Sequence, residues 1–156
     1  MKHIKTLSAL CLSLLITGSL LSGCGTKNDV PDPERVQVFN PMMAVSSVEE
    51  MESYLDFSVP VLDKEVESYI VLVIDGYPTM GRIYYADGSV FSIQHGTGDI
   101  SGIYGGTLED TQPIEGVNVS YYTYETTRYA LWETDGFTYS LTGGVTLEEE
   151  VTTLIP

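Results

Sequence analysis

Residues 117–142 read VNVSYYTYETTRYALWETDGFTYSLT, and this stretch decides the fold. Side chains at alternate positions differ in polarity, and this period of two is typical of a β-strand. Asp135-Gly136 predicts a hairpin turn, because both central residues of a type I′ turn need positive φ. We predict strands at residues 117–125, 127–134 and 137–142. One apolar face and one semi-polar face indicate an antiparallel sheet that is covered on one side.

The same pattern occurs earlier in the chain. Residues rich in β-branched and aromatic side chains predict three more strands, at 68–74, 79–86 and 89–95. Asp87-Gly88 predicts a second two-residue hairpin. The five glycines at 96–106 indicate a loop, with at most a short strand at 100–104. Val36, Val38 and Phe39 could enter another strand, which Pro41 would end or confine to an edge.

Two short helices flank these strands. Ser46 or Ser47, followed three residues later by Glu49 or Glu50, has the spacing of a capping box. Apolar side chains then recur at helical spacing: Val48, Met51, Tyr54 and Leu55. A second capping box at residues 146–149 opens a helix with Leu147, Val151, Leu154 and Ile155 on one face. We therefore predict an α+β fold, an antiparallel meander of about six strands covered by an N-terminal and a C-terminal helix.

The first 24 residues have the organisation of a secretory leader. A basic start is followed by an apolar run at residues 7–21 and by Leu21-Ser22-Gly23-Cys24. This last motif resembles the lipobox of bacterial lipoproteins, in which the cysteine thiol is lipidated and the chain is cut before it. The resemblance implies a mature protein that begins at Cys24. It also implies a lasting lipid anchor (diacylglyceryl, with palmitate-type chains), because two acyl chains keep a protein on a membrane whereas a single chain binds reversibly.

The alternatives for this segment are an ordinary cleaved signal and a retained membrane helix. The apolar run is interrupted by small polar residues and is shorter than the roughly 20 residues that span a bilayer. We therefore divide the chain into three parts. Residues 1–23 are the lipoprotein signal peptide, residues 24–35 are the lipidated cysteine and a proline-containing tether, and residues 36–156 are one extracytoplasmic domain. We expect the protein at the cell membrane, facing outside.

Charge and cysteine content restrict the possible functions. The chain has 22 acidic and 7 basic residues, a formal net charge of −15. Such a balance opposes binding to nucleic acid and permits cationic partners. Cys11 lies in the leader, so lipidation of Cys24 would leave the domain without a thiol. That excludes a disulfide framework and a cysteine nucleophile.

Several short phrases of the domain carry a second resemblance. They are Asn40-Pro41-Met42, Ser46-Ser47-Val48-Glu49-Glu50, Leu55-Asp56-Phe57-Ser58-Val59-Pro60, Gly98-Asp99-Ile100-Ser101-Gly102 and Trp132-Glu133-Thr134-Asp135-Gly136-Phe137-Thr138-Tyr139-Ser140. Residues 36–156 resemble a domain of unknown function found in lipoproteins of Firmicutes and related to the outer domains of anti-sigma and sporulation proteins. The resemblance implies an extracytoplasmic α+β domain and assigns no catalytic residues.

His95 is the one histidine that follows the leader. A hydrolase would pair it with Asp99 and with Ser92 or Ser101. No Gly-x-Ser-x-Gly elbow accompanies these residues, and a single histidine without cysteine is a poor zinc site. We expect no catalytic site, no metal site and no cofactor.

The glycine-rich segment at residues 96–102 has some features of a phosphate loop. It lacks the lysine and the following helix that such loops need, so a tightly turning loop is the simpler interpretation. Cation binding by Asp99, Glu109 and Asp110 is a weaker hypothesis.

Tyrosine is the enriched residue type that could bind a ligand. Five tyrosines fall on the last three predicted strands, with Tyr122 and Tyr124 facing away from Tyr121 because side chains alternate. They could form an aromatic surface for a glycan or peptide, or they could simply cover a half-buried sheet. The candidate surface consists of Tyr121, Tyr122, Tyr124, Tyr129 and Tyr139.

The sequence therefore predicts a non-enzymatic, membrane-anchored domain for binding, sensing or scaffolding at the cell envelope. Its partners would be the membrane, through the lipid on Cys24, and an envelope protein, peptide or glycan. One alternative is a carrier with an apolar cavity lined by Phe91, Ile93, Leu131 and Trp132. A second alternative is a hydrolase that uses His95.

Overall fold

The structure, a computed structural model, describes residues 40–155 of the chain. The leader at 1–23, Cys24 and the tether at 24–35 lie outside the described residues, as do Val36, Val38 and Phe39. Within residues 40–155, no helix is long and apolar enough to cross a membrane.

An antiparallel sheet with two helices makes up the described part of the chain, which confirms the α+β class. The strands are β1 (Met42–Val45), β2 (Val66–Ile74), β3 (Tyr77–Tyr85), β4 (Val90–His95), β5 (Thr107–Ile114), β6 (Val117–Tyr124), β7 (Thr127–Thr134) and β8 (Phe137–Gly143). The helices are α1 (Val48–Leu55) and α2 (Leu147–Leu154).

Two four-stranded meanders build the sheet. The strand order is β1-β2-β3-β4-β8-β7-β6-β5, so β4 of the first meander pairs with β8 of the second. This central ladder runs from Val90 opposite Thr142 to His95 opposite Phe137. Since β5 lies at the far edge, the connection from β4 must pass β8, β7 and β6. Residues 96–106 make that crossing and are called the crossing loop below.

The sheet has eight strands where the sequence predicted about six. The two additional strands are the edge strands β1 and β5. β1 is only four residues long and begins directly after Pro41. The strand expected at Val36, Val38 and Phe39 lies outside the described residues, so β1 does not test it. β5 was missed because its sequence, TLEDTQPI, is acidic, contains a proline and shows no apolar alternation. Residues 96–106 contain no strand, in agreement with the loop predicted there.

Of the two hairpin turns predicted from the sequence, one is formed as predicted and the other is not. Asp135 and Gly136 have φ of 52° and 83°, which fits the two positive values of a type I′ turn. At Asp87-Gly88 only the glycine has positive φ, so the two-residue turn predicted there was wrong. Gly88 N–H instead donates to the Tyr85 carbonyl at 2.9 Å, closing a longer loop. Asp87 accepts the N–H of Ser89 at 2.9 Å and helps to fix that loop.

Both helices pack on one face of the sheet, called the helix face. Its largest buried side chains include Trp132, Tyr85 and Phe91, each at most 2% exposed. Trp132 stacks on Tyr139 with ring centroids 5.3 Å apart and an angle of 3°. The opposite face, called the loop face, is crossed by residues 96–106. Burial of apolar surface under the helices is the main stabilising contribution to this fold.

The caps of the two helices differ. Ser47 begins α1, and its side chain accepts the N–H of Glu50 at 3.2 Å. The Glu50 carboxylate accepts the N–H of Ser46 at 2.6 Å, so the return bond of the predicted capping box goes to the residue before the N-cap. Thr146 makes no side-chain cap bond to α2. Its hydroxyl donates to the Glu150 carboxylate at 2.6 Å instead, so the capping box predicted there was wrong.

Lys64 connects α2 to the first meander. Its Nζ lies 2.6 Å from Glu150 Oε1 and 2.7 Å from Asp87 Oδ2. The hydrogen bond from Lys64, together with those from Ser89, holds the pKa of Asp87 well below its usual range. The loop before β2, the β3–β4 turn and α2 are therefore joined through one ammonium group.

Candidate functional site

A concave feature of the described residues, called the groove below, lies on the loop face of the sheet. It has a volume of about 720 Å³ and is open to solvent. Strands β6, β7 and β8 contribute its floor, and the crossing loop contributes one wall. The lining residues are Gly98, Asp99, Gly105, Gly106, Gly116, Val117, Asn118, Ser120, Tyr122, Tyr129, Leu131, Trp132, Glu133, Thr134 and Thr138.

The crossing loop is held against the sheet near its middle. Ile100 is buried (5% exposed), and its carbonyl accepts a hydrogen bond from Arg82 Nη2 at 3.0 Å. Arg82 Nε donates to Ser92 Oγ at 2.9 Å, which fixes the guanidinium on the loop face. Gly98 and Gly105 have φ of 127° and 91°, conformations that glycine adopts without strain. The loop wall of the groove is thus anchored by β3 and β4.

The five candidate tyrosines do not share one surface. Tyr121 and Tyr139 lie in the helix-face core and are 1% and 6% exposed. Tyr122 and Tyr129 are cross-strand partners on the loop face, and their rings stack 5.1 Å apart at 12°. Tyr124 is 41% exposed. The predicted opposition of Tyr122 and Tyr121 is therefore confirmed, but only Tyr122 and Tyr124 of the five reach solvent.

Tyr129 is enclosed although it lies on the loop face. It is 1% exposed, and a Cβ built on Gly106 would lie 2.8 Å from its Cζ and overlap its hydroxyl. Glycine is therefore required where the crossing loop passes over this phenol. Burial raises the pKa of Tyr129, and the nearby carboxylate of Asp99 raises it further. Tyr129 thus supports the groove floor from below the loop.

Two carboxylates lie at the loop wall of the groove. Gly98 N–H donates to Glu133 Oε1 at 3.4 Å, which places Glu133 beside the residue that precedes Asp99. Asp99 Oδ1 accepts the N–H and the hydroxyl of Ser101, at 2.9 and 2.7 Å. These bonds use one oxygen of each carboxylate. Within residues 40–155, no lysine or arginine pairs with either group.

Two of the three basic side chains of residues 40–155 form ion pairs outside the groove. Lys64 pairs with Asp87 and Glu150, as described above. Arg128 lies 3.1 Å from a Glu109 oxygen and 2.8 Å from one of Glu148. Arg82, the third basic residue of the described part, holds the Ile100 carbonyl next to Asp99. The residues that line the groove include the carboxylates of Asp99 and Glu133 and no lysine or arginine.

The hydrolase constellation is not assembled. His95 is exposed at the end of β4, with its ring edge-on to Phe137 at 5.2 Å, on the side of the helices. Ser92 lies three residues earlier and therefore points to the loop face, where it accepts from Arg82. Ser101 is bonded to Asp99. The strand alternation thus separates His95 from the serines that a triad would need.

The proposed cation site is not assembled either. Glu109 bonds to Thr123 and Arg128, Asp110 bonds to Gln112, and Asp99 lies on the crossing loop. Among the residues that the structure describes, no group of three or more His, Cys, Asp or Glu side chains could hold a metal ion.

The lining proposed for a carrier cavity is divided between the two faces of the sheet. Phe91, Ile93 and Trp132 are packed in the helix-face core and are at most 2% exposed. Leu131 is adjacent to Trp132 in β7 and therefore points to the loop face, where it lines the groove. These four side chains do not enclose a common space.

The sequence reasoning did not find Asn118, Leu131 and Glu133 as groove residues. Strand alternation was a usable signal, because each shares a face with Tyr122 or Tyr129. No comparable pattern in the sequence indicates that Gly106 passes over Tyr129 or that Arg82 holds the crossing loop. Both contacts depend on the path of the crossing loop, which follows from the strand order.

Comparison of the chain with protein-family models, with curated proteins and with solved structures gave no match.

Proposed function

We propose that this chain is a lipid-anchored lipoprotein of the outer side of a bacterial cell membrane, with a domain that binds an envelope peptide or glycan and performs no catalysis. The lipobox-like motif Leu21-Ser22-Gly23-Cys24 supports the anchor, and the acidic balance is compatible with an extracytoplasmic position. The proposed relation to the outer domains of anti-sigma and sporulation proteins rests on the short phrases quoted above.

The groove is the observation that supports the proposed binding function. Its floor combines the side chains of Leu131 and Tyr122 with polar groups from Asn118 and Glu133. A concave site of this size with a few convergent polar groups is the ordinary form of a ligand site. The side chains that would form a hydrolase triad lie on both faces of the sheet, which favours binding over catalysis.

The anchor is tested by Cys24→Ala in the producing bacterium, with Cys11→Ala as the matched control. Cells are fed an alkyne fatty acid, and the label on the protein is measured together with membrane fractionation. We expect Cys24→Ala to lose the label and the mature, membrane-bound form, because the thiol is the acyl acceptor. Cys11→Ala should retain both. An unlabelled wild-type chain, or label that persists in Cys24→Ala, would contradict the anchor.

The binding function is tested by filling the groove. Asn118 is exposed on the groove floor, and Gln112 lies on the neighbouring strand and faces the other side of the sheet. Asn118→Trp should weaken retention of the full chain on purified cell wall or defined envelope peptides by about tenfold or more. Gln112→Trp should change it by less than about twofold. Equal retention of the two variants would count against the groove as the binding site.

A further inference from the structure

We infer that the groove binds a lysine-containing extended peptide, with the aliphatic stem of a lysine along Leu131 and Tyr122 and its ammonium at Asp99 and Glu133. This inference rests on the proposed binding function and names the ligand chemistry of the same groove. It follows from the arrangement of apolar and charged groups, from the charge of the molecule and from the orientation of the tyrosine rings.

The groove has an apolar part and an anionic part. Leu131 and Tyr122 are half-buried on its floor, so each leaves some apolar surface that a ligand could cover. The carboxylates of Asp99 and Glu133 both line the groove at the loop wall, where Glu133 accepts the N–H of Gly98, the residue before Asp99. A lysine side chain has the matching form, because its methylene stem packs on apolar surface while its charged end stays in a polar environment.

The charges favour an ammonium group over a neutral or anionic one. Each carboxylate keeps one oxygen that no hydrogen bond within residues 40–155 uses. The basic side chains Lys64 and Arg128 are bound to other carboxylates, and Arg82 is bound to Ser92 and to the Ile100 carbonyl. A ligand cation would therefore not have to displace a lysine or arginine of the described residues. The net charge of −15 also attracts cationic peptides over longer distances.

The tyrosine geometry favours a peptide over a glycan. A sugar ring packs on the flat face of an exposed aromatic ring. One face of Tyr122 is covered by Tyr129, and Tyr129 itself is 1% exposed. On the other side of Tyr122, its direct cross-strand neighbour is Leu108. A sugar ring would therefore find at most one free face on Tyr122 and none on Tyr129, whereas a narrow aliphatic stem needs contact with only part of a ring.

The test uses the full chain in a nonionic detergent at about 0.15 M salt, where surface attraction is screened beyond about 8 Å. Binding is measured by fluorescence anisotropy with a blocked peptide that alternates serine and lysine. Two matched peptides replace lysine with Nε-acetyl-lysine, which keeps the stem, or with diaminobutyric acid, which keeps the charge on a stem that is two methylenes shorter. Oligomers of glucosamine and of N-acetylglucosamine are the glycan probes.

The protein variants are Asp99→Asn/Glu133→Gln and the distant pair Glu67→Gln/Asp75→Asn, which removes the same charge from β2 and its turn. We expect the lysine peptide to bind the wild type at least about tenfold more tightly than either matched peptide. The groove pair should weaken binding about tenfold or more, and the distant pair by less than about twofold.

Equal binding of the diaminobutyric peptide, or equal loss in both protein variants, would overturn the inference, because general attraction to an acidic surface would then suffice. So would failure of the lysine peptide to bind, or tighter binding of a sugar oligomer. Sensitivity of a sugar oligomer to Asn118→Trp would overturn the lysine assignment and leave the proposed groove function intact. If Asn118→Trp has no effect on any bound probe or on envelope retention, the groove function itself fails.

Discussion

At the scale of single residues, the contact between Gly106 and Tyr129 determines how the crossing loop lies on the sheet. Tyr129 is confined by its stacking partner Tyr122 on one side and by the loop above it. A side chain at residue 106 would have to displace either a packed aromatic ring or the loop backbone. The wall of the groove therefore depends on the absence of one Cβ atom.

Gly106→Ala should lower the free energy of unfolding by about 1–3 kcal/mol, because overpacking against a confined ring is not relieved by a rotamer change. The matched control is Gly144→Ala. At Gly144 a Cβ meets nothing within 4 Å, and the residue is not among the glycines with positive φ. That control should be neutral or stabilising by up to about 1 kcal/mol. Urea unfolding measures the free energy of unfolding of both variants. Equal stability of the two would show that the crossing loop can shift to make room for the new Cβ at little cost.

The sequence predicted one part of the residue-level site and not the other. Strand alternation correctly put Tyr121 and Tyr122 on opposite faces, because this property depends on the strand alone. It gave no indication that Tyr129 would be enclosed, since the cover comes from a loop that crosses three strands. Burial by a distant segment follows from topology and leaves no periodic signal in the strand that is covered.

At the scale of elements, the six strands with apolar or aromatic alternation were predicted, and β5 was not. All but the last residue of β5 are exposed, so its sequence is not selected for burial on either face. Pro113 is tolerated because β5 is an edge strand. Pairing with β6 and the ion pair of Glu109 with Arg128 of β7 hold it in the sheet. The turn at Glu115-Gly116 sets the register of the pairing, with Ile114 opposite Val117.

The turn at Glu115 predicts a stabilising substitution. Glu115 has φ of 50° and is followed by Gly116 at 89°, the backbone of a type I′ turn in which asparagine is favoured. Glu115→Asn should raise the free energy of unfolding by roughly 0.5–1 kcal/mol, because asparagine tolerates positive φ better than glutamate does.

Glu115→Gln is the matched control, since it removes the same charge without the asparagine preference for this conformation. Thermal unfolding of both variants should give a higher Tm for Glu115→Asn than for Glu115→Gln. Equal gains in the two would mean that charge removal, and not backbone conformation, accounts for the change.

At the scale of the whole molecule, two meanders share one core, and each carries a helix on the same face. α1 packs on β2 and β3, and α2 packs on β7 and β8. The α+β class could be predicted because strand and helix periods are local. The order that joins β4 to β8 could not, because it depends on which edges meet after the meanders form. The groove exists only as a result of that order.

The charge of the molecule predicts how its stability depends on salt. The chain carries 22 acidic residues, and in the described part only Asp87, Glu109, Glu148 and Glu150 pair with a basic side chain. Repulsion among the remaining carboxylates should therefore outweigh the ion pairs at low ionic strength. Raising NaCl from about 0.01 to 0.1 M shortens the Debye length from about 30 to 10 Å. The Tm should rise by a few degrees, since about 1 kcal/mol corresponds to roughly 4 °C in a domain of this size.

The control for the salt effect is the triple variant Glu67→Gln/Asp75→Asn/Asp135→Asn, which removes three carboxylates that make no ion pair within residues 40–155. Asparagine suits the positive φ of Asp75 and Asp135, so the turns are retained. This variant should start from a higher Tm at low salt and gain less from added NaCl than the wild type. A Tm that falls with salt in the wild type would mean that the pairs of Lys64 and Arg128 outweigh the repulsion, since screening weakens both kinds of interaction.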